Sequence, residues 1–223
     1  YRLAIVATGE FEDANGANSM AQITSTVQGW NLIYEADLGI TLSLVNTQIY
    51  DDPATDPFIP DGAGGDHRVN QAAEVIAMNF AENTYDVGQV FHNSSAGGNW
   101  SGGGVAGIGI ACSNSTFFST SSSYESTNDG LTGPNKAAAW SGSFSNSWIQ
   151  LSAHELGHQF NAAHTFNGSG NSCVGGNVPQ NDAYEIGSGT TLMSYNNLCG
   201  AGQNVPDGGE DDNYFHSSSI ERM

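Results

Sequence analysis

The chain has 223 residues, 38% of them hydrophobic and only 12% charged; 4 Lys and Arg against 23 Asp and Glu give a net charge of −19. This length fits one domain, or one domain with a small lobe, and still buries a real core. The acidic surface repels nucleic acid and anionic membranes, so neither is expected as a partner, and no apolar run approaches the ~20 residues of a membrane span.

The continuous apolar run Leu3 to Ala7 predicts a central strand. Met20, Ile23, Val27, Trp30 and Tyr34 then recur at helical spacing and predict an amphipathic helix over 20–35. Ile40, Leu42 and Leu44 alternate, the mark of a second strand, and residues 51–65 are rich in Pro, Asp and Gly and form a loop. Asp66 is placed to cap a helix carrying Val69, Ala72, Ala73, Ile76 and Phe80, and Val87 to Phe91 is a third strand. Strand, helix, strand, helix, strand in that order gives a mostly parallel sheet with helical crossovers.

Residues 97–109 are glycine-rich, and Gly102, Gly104 and Gly107 spell G-x-G-x-x-G. A dinucleotide fingerprint needs a helix after it, whereas the run Ile108 to Ala111 is strand-like, so that role is set aside. An edge strand near 99–105, bordering a cleft and open to an extended substrate, is expected instead. Residues 113–146 are rich in Ser, Asn and Gly and read as a long surface connection. Ser147 and Gln150 fit a capping box for a helix over 148–160 with Ile149, Leu156 and Phe160 on its apolar face. Ser217 to Met223 begins a final helix.

That capped helix carries the chemistry. It opens the stretch His154-Glu155-Leu156-Gly157-His158-Gln159-Phe160-Asn161-Ala162-Ala163-His164. His154 and His158, at i and i+4, project from one helix face and can share a zinc ion. Glu155 points to the side, where a carboxylate reaches a metal-activated water without being a ligand. His164 lies six residues beyond His158, and a straight helix would carry it about 9 Å further along the axis, at ~1.5 Å per residue. It reaches the same metal only if the helix ends and the chain turns back at Asn161. The extended zinc-protease motif has glycine there, because the turn is left-handed, and asparagine is the next-best occupant. About thirty residues downstream of His164, Thr191-Leu192-Met193-Ser194-Tyr195 fits the turn whose methionine packs beneath the ligands of a three-histidine site, with Met193 as that methionine. Tyr195 is in reach of the cleft and is a candidate to hold the developing oxyanion.

These motifs, with the opening strand 1–7, the segment 104–112 and the closing stretch 213–220, resemble the metzincin zinc metallopeptidases, and within them the reprolysin-like (adamalysin-related) enzymes of secreted bacterial proteins. Asn161 in the glycine position is the one departure within the motif. The resemblance implies an α/β (α+β) metzincin-type zincin fold: a mostly parallel twisted sheet with an antiparallel edge strand, long helices including the zinc helix, and a smaller irregular C-terminal lobe. It also implies a single catalytic domain whose upper part, 1–161, carries the sheet and the zinc helix, and whose lower part, 162–223, carries the third histidine and the Met-turn. The expected activity is zinc-dependent endopeptidase action on protein or peptide substrates, with Glu155 as general base and His154, His158 and His164 as Zn2+ ligands. A monomer with an inhibitory pro-segment is the family expectation. The alternatives are a secreted binding or adhesion module that retains an idle zinc site, against which an intact Glu155 argues, and a zinc amidase acting on amides other than peptides.

The remaining residues refine this picture. Cys173 and Cys199 flank the segment between the third histidine and the end of the Met-turn, and a disulfide between them would staple the lower part of the site. Cys112 follows an apolar run and reads as a buried free thiol. His67, His92 and His216 are at no ligand spacing and read as surface or hydrogen-bonded histidines. Acidic groups at 10–13, 51–61 and 207–212 are candidate Ca2+ sites, although none matches the calcium-loop pattern, and solvated loops explain them as well. Asn93, Asn99, Asn114 and Asn167 each start a glycosylation sequon, which implies exposure where the source glycosylates. Little Lys, much Ser, Asn and Gly, and an opening directly on a strand, as in a mature domain freed of signal and pro-segment, point to a secreted protein; a boundary chosen in the laboratory looks the same.

Overall fold

The computed structural model describes residues 1–58, 65–93, 103–113, 139–142, 148–179, 181–205 and 212–223, with the backbone alone at 65–67 and 139–142. Strands β1 (Arg2–Ala7), β2 (Ser43–Ile49), β3 (Val87–Phe91), β4 (Gly103–Ala106) and β5 (Ala139–Gly142) form one sheet in the order β2-β1-β3-β5-β4. All neighbours are parallel except β4 and β5, so the outermost strand β4 runs antiparallel at the edge. The helices are α1 (Gly9–Asn15), α2 (Ser19–Leu38), α3 (Gly65–Asn79), α4 (Trp148–Gln159) and α5 (Ser217–Arg222).

Period-two alternation along β1 sorts the core into two layers. Leu3, Ile5 and Ala7 face α2 and α4 and join Ile23, Trp30, Tyr34, Leu156 and Met193. Ala4 and Val6 face α3 and join Ala72, Val75 and Ile76. Covered on both faces, β1 is apolar without interruption from Leu3 to Ala7, as parallel strands between helical layers are. Three polar anchors key α4 to α2: Trp148 Nε1 donates to Thr26 Oγ1 at 3.0 Å, Trp30 Nε1 donates to Ser152 Oγ at 3.0 Å, and Tyr34 Oη donates to the carbonyl of Ala153 at 2.8 Å. They hold the helix at the level of His154, the next residue along.

The expected parallel sheet, the antiparallel edge and the helix beginning at 148 are all present, and the differences are local. Strand β2 starts at Ser43 rather than near Ile40, because Gly39 ends α2 in a left-handed conformation and Asn31 brackets Leu42 through both its backbone groups. Helix α1 lies in a stretch that carries no apolar period, and Thr8 caps it by accepting from the N–H of Phe11. Strand β5 lies inside the stretch read as a loop; its four residues are too few to show an alternation. Ile108 to Ala111 is not a strand but a pair of turns docked on the end of α4. There the N–H groups of Gly109 and Ala111 donate to the carbonyls of His158 and Gln159, each at 2.9 Å, which satisfies helix-end acceptors. Cys112 leaves that turn at φ 58° and is an exposed free cysteine, not a buried one. Asn93 is buried, so its sequon does not mark an exposed site, whereas Asn167 is exposed; Asn99 and Asn114 lie outside the described residues, as do the cap at Ser147 and the acidic groups at 61 and 207–211.

Candidate active site

Helix α4 ends where the motif requires. The N–H of Asn161 donates to the carbonyl of His158 at 2.9 Å and that of Ala162 to Gly157 at 3.0 Å, the paired bonds of a Schellman motif. Asn161 itself sits at φ 81°, the left-handed conformation expected of it. Its side chain donates to the carbonyl of Arg222 at 3.1 Å and its own carbonyl accepts from Arg222 Nε at 3.1 Å, so α5 clamps the turn.

The reversal brings three imidazoles together. One ligand atom from each of His154, His158 and His164 lies within 4.8 Å of the others, and the ring centroids are 4.7 to 5.1 Å apart. Each ring has its Nδ1 on a backbone carbonyl: His154 on Leu192 at 2.8 Å, His158 on Ala162 at 2.8 Å and His164 on Asn177 at 2.7 Å. A carbonyl only accepts, so each Nδ1 carries the proton and each Nε2 presents a lone pair. Burial keeps the rings neutral: it drives His154 well below its usual pKa and His158 down to about 3, with the neighbouring rings adding to both, and it lowers His164 as well. Nε2 of His158 and Nε2 of His164 therefore face each other at 3.1 Å with no proton to share, an arrangement that a cation between them resolves. Two nitrogens on a tetrahedral zinc at about 2.0–2.1 Å stand about 3.3 Å apart, so the donor set fits that ion. Among the described residues this is the one group of three or more such side chains that converges, and the acidic stretches at 10–13 and 51–56 do not.

Beneath the rings, Met193 is fully buried. A Cβ on Gly157 would stand 2.7 Å from its sulfur, so the absent side chain at 157 lets the turn press against α4. The same turn supplies the Leu192 carbonyl that orients His154. One further residue, which the sequence did not single out, holds this floor together. The Glu185 carboxylate accepts from the hydroxyls of Thr165 and Thr191 and from the backbone N–H groups of Thr190 and Thr191, tying the residue after His164 to the turn that carries Met193. Cys173 and Cys199 are joined in a disulfide across a separation of 26 residues. It anchors the loop whose Asn177 carbonyl aims His164. By loop-closure entropy a ring of that size contributes about 3.5 kcal/mol.

Glu155 is 4% exposed beside the ligands, and burial pushes its carboxyl up to about 8, with the Arg68 guanidinium pulling the other way. Tyr195 packs over His164 with centroids 4.5 Å apart and stacks on Phe166 at 4.5 Å. Burial, assisted by the nearby Glu155, pushes its phenol up to about 12, so it is a hydrogen-bond donor at neutral pH. A cleft of about 560 Å³ and a smaller one of about 230 Å³ meet at Gly104, Glu155, Asn177 and Tyr195, with His154 in the wall of the first and His158 and His164 in the wall of the second. Of the other histidines, His92 is buried against Thr8 Oγ1 at 3.1 Å, and His216 caps α5; neither approaches the cluster.

The donor set is a three-histidine centre suited to zinc. The family profile described as "Metallo-peptidase family M12B Reprolysin-like" matches residues 20–165, well over half of the sequence, and the chain belongs to that family. No curated protein matches it. Among solved structures, one titled "Structure of a chaperone-substrate complex" aligns with 98% of this chain and 33% of its own, at 17% identity and a TM-score of 0.50. Metalloproteinase-II from Bacteroides fragilis aligns with 100% of this chain and 51% of its own, at 15% identity and a TM-score of 0.48. The chain thus spans between a third and about half of the length of these solved chains, and the likeness to the first is one of fold.

Proposed function

We propose that the chain is a zinc-dependent endopeptidase that cleaves peptide bonds of protein substrates, with His154, His158 and His164 as the ligands and Glu155 as the general base. The convergence of three neutral imidazoles, each with Nε2 free for a metal, beside a buried carboxylate carries this reading. Zinc, when bound, supplies the Lewis acidity that makes water a nucleophile near neutral pH and polarises a carbonyl. The chain's own groups do the rest. A bound dication would hold the Glu155 carboxyl ionised against the burial that raises it, and the carboxylate takes a proton from the attacking water and passes it to the leaving amine nitrogen. Its position at the junction of the two clefts supports that role, because the scissile bond of a substrate spanning both would lie against it. The Tyr195 phenol, kept protonated, donates a hydrogen bond to the oxyanion that develops on the carbonyl. Met193 supports the ligands from below.

The two-part organisation follows the same line. Residues 1–161 form an upper part with the sheet and α4, and residues 162–223 form a lower part in which α5 is the only α-helix among the described residues. The disulfide supports a secreted protein, since such bonds persist in oxidising compartments. No helix among the described residues is long and apolar enough to cross a membrane.

The test is casein hydrolysis by the wild type and by Glu155→Gln, with zinc content measured on both. The variant keeps its zinc and loses at least about 10²-fold in turnover, the usual share of a general base. Undiminished turnover in the zinc-loaded variant would remove Glu155 from the reaction.

A further inference from the structure

Gly104 and Glu155 share one slot. An ideal Cβ built on Gly104 would lie 2.2 Å from Glu155 Oε1 and 2.4 Å from both its Cδ and its Cγ. Backbone conformation does not explain this glycine: Gly103 has φ 123° and open space around it, whereas Gly104 is not among the positive-φ residues and sits in regular register opposite Ser141 of β5. What Gly104 supplies is the absence of a side chain. All three of the nearest atoms belong to the Glu155 side chain and none to backbone, so a methyl group at 104 would displace the carboxylate and leave the strand where it is. Ordinary van der Waals contact begins at 3.4 Å, so the carboxylate would have to retreat by about 1 Å.

We propose that Gly104 is the positioning residue of the general base: the bare backbone of the edge strand β4 sets where the Glu155 carboxylate stands between the two clefts. The catalytic half of this inference rests on Glu155 being the base, while the steric half does not. A misplacement of about 1 Å costs on the order of 10²-fold in rate. Gly104→Ala therefore loses about 10²-fold in kcat, with KM changed less than about threefold and zinc content unchanged.

The experiment, on the zinc-loaded chain, reads kcat, KM and zinc content of Gly104→Ala and a double-mutant cycle that crosses Gly104→Ala with Glu155→Ala for Tm. The alanine at 104 is expected to lower Tm by about 2–4 °C in the wild type and by less than about 1 °C when Glu155 is replaced by alanine. If Gly104→Ala alone fails to fold while the double variant folds, the same coupling is established. Equal costs in Tm with and without the Glu155 side chain would overturn the proposal and leave the base assignment standing. Coupling in Tm without loss of kcat in Gly104→Ala would overturn its catalytic half.

Discussion

The turn at Asn161 decides whether the third histidine reaches the other two, and it can be broken without touching a ligand. Replacing Asn161 by alanine keeps the helix but puts an ordinary L-residue at φ 81°. The left-handed region costs such a residue about 1–2 kcal/mol, part of which asparagine avoids, so about 1 kcal/mol separates the two. The exposed bond from Asn161 Nδ2 to the Arg222 carbonyl, at 3.1 Å, is lost as well, for about 0.5–1 kcal/mol. The bond from Arg222 Nε to the Asn161 carbonyl survives. The sum is about 2 kcal/mol, or about 4–8 °C in Tm for a domain of this size. Glycine at 161 loses the same side-chain bond but takes the conformation freely, so it should lie between wild type and alanine, and valine should be worse than alanine. Thermal unfolding of the three variants, with and without chelator, reads the series. An alanine variant as stable as wild type, or a glycine variant less stable than alanine, would refute the claim that a left-handed turn closes the site.

Tyr195→Phe is expected to lower kcat about 10²-fold with little change in KM, as for loss of one oxyanion donor; an unchanged kcat would leave Tyr195 with only its packing on His164 and Phe166. The fully buried His92 gives a pH signature away from the metal, since burial, reinforced by Arg68, holds it near 4 against an ordinary 6.5. It is neutral when folded, so the unfolded chain binds the proton first. Stability from this group is complete above about 6.5 and is lost as pH falls towards 4, amounting to about 2 kcal/mol between pH 7 and 4.5. Chemical denaturation of wild type and His92→Asn at the two pH values should show that difference shrink in the variant, and an identical pH slope would refute it.

What could be foreseen follows from what local residue patterns encode. Helical period, the i, i+4 histidines and an asparagine where a left-handed residue is needed are short-range features, and α4 with its turn came out as expected. Parallel strands between helical layers leave long apolar runs, so β1 and β3 were legible, whereas β5 had only four residues in which to show a pattern. The groups that aim the rings were invisible beforehand. The acceptors for all three Nδ1 atoms are backbone carbonyls, of Leu192, Ala162 and Asn177, and no residue type announces a carbonyl's direction. Glu185 lay in a polar stretch without period, and its four donors come from three residues, of which Thr165 joins Thr190 and Thr191 only after folding. Gly104 stood in a chance glycine pattern and in the expected edge strand, but its contact with Glu155 depends on how β4 meets α4 after folding. Cys112 misled because Ile108 to Ala111 is no strand: its backbone docks on the end of α4, Ile110 packs against Ala73 of α3, and Ile108 is exposed.

The most direct test is the metal itself. X-ray absorption or anomalous diffraction at the zinc edge on the purified chain should find one zinc bonded to Nε2 of His154, His158 and His164, at about 2.0–2.1 Å each. A metal held by only two of these rings, or by Nδ1 of any of them, would contradict the account.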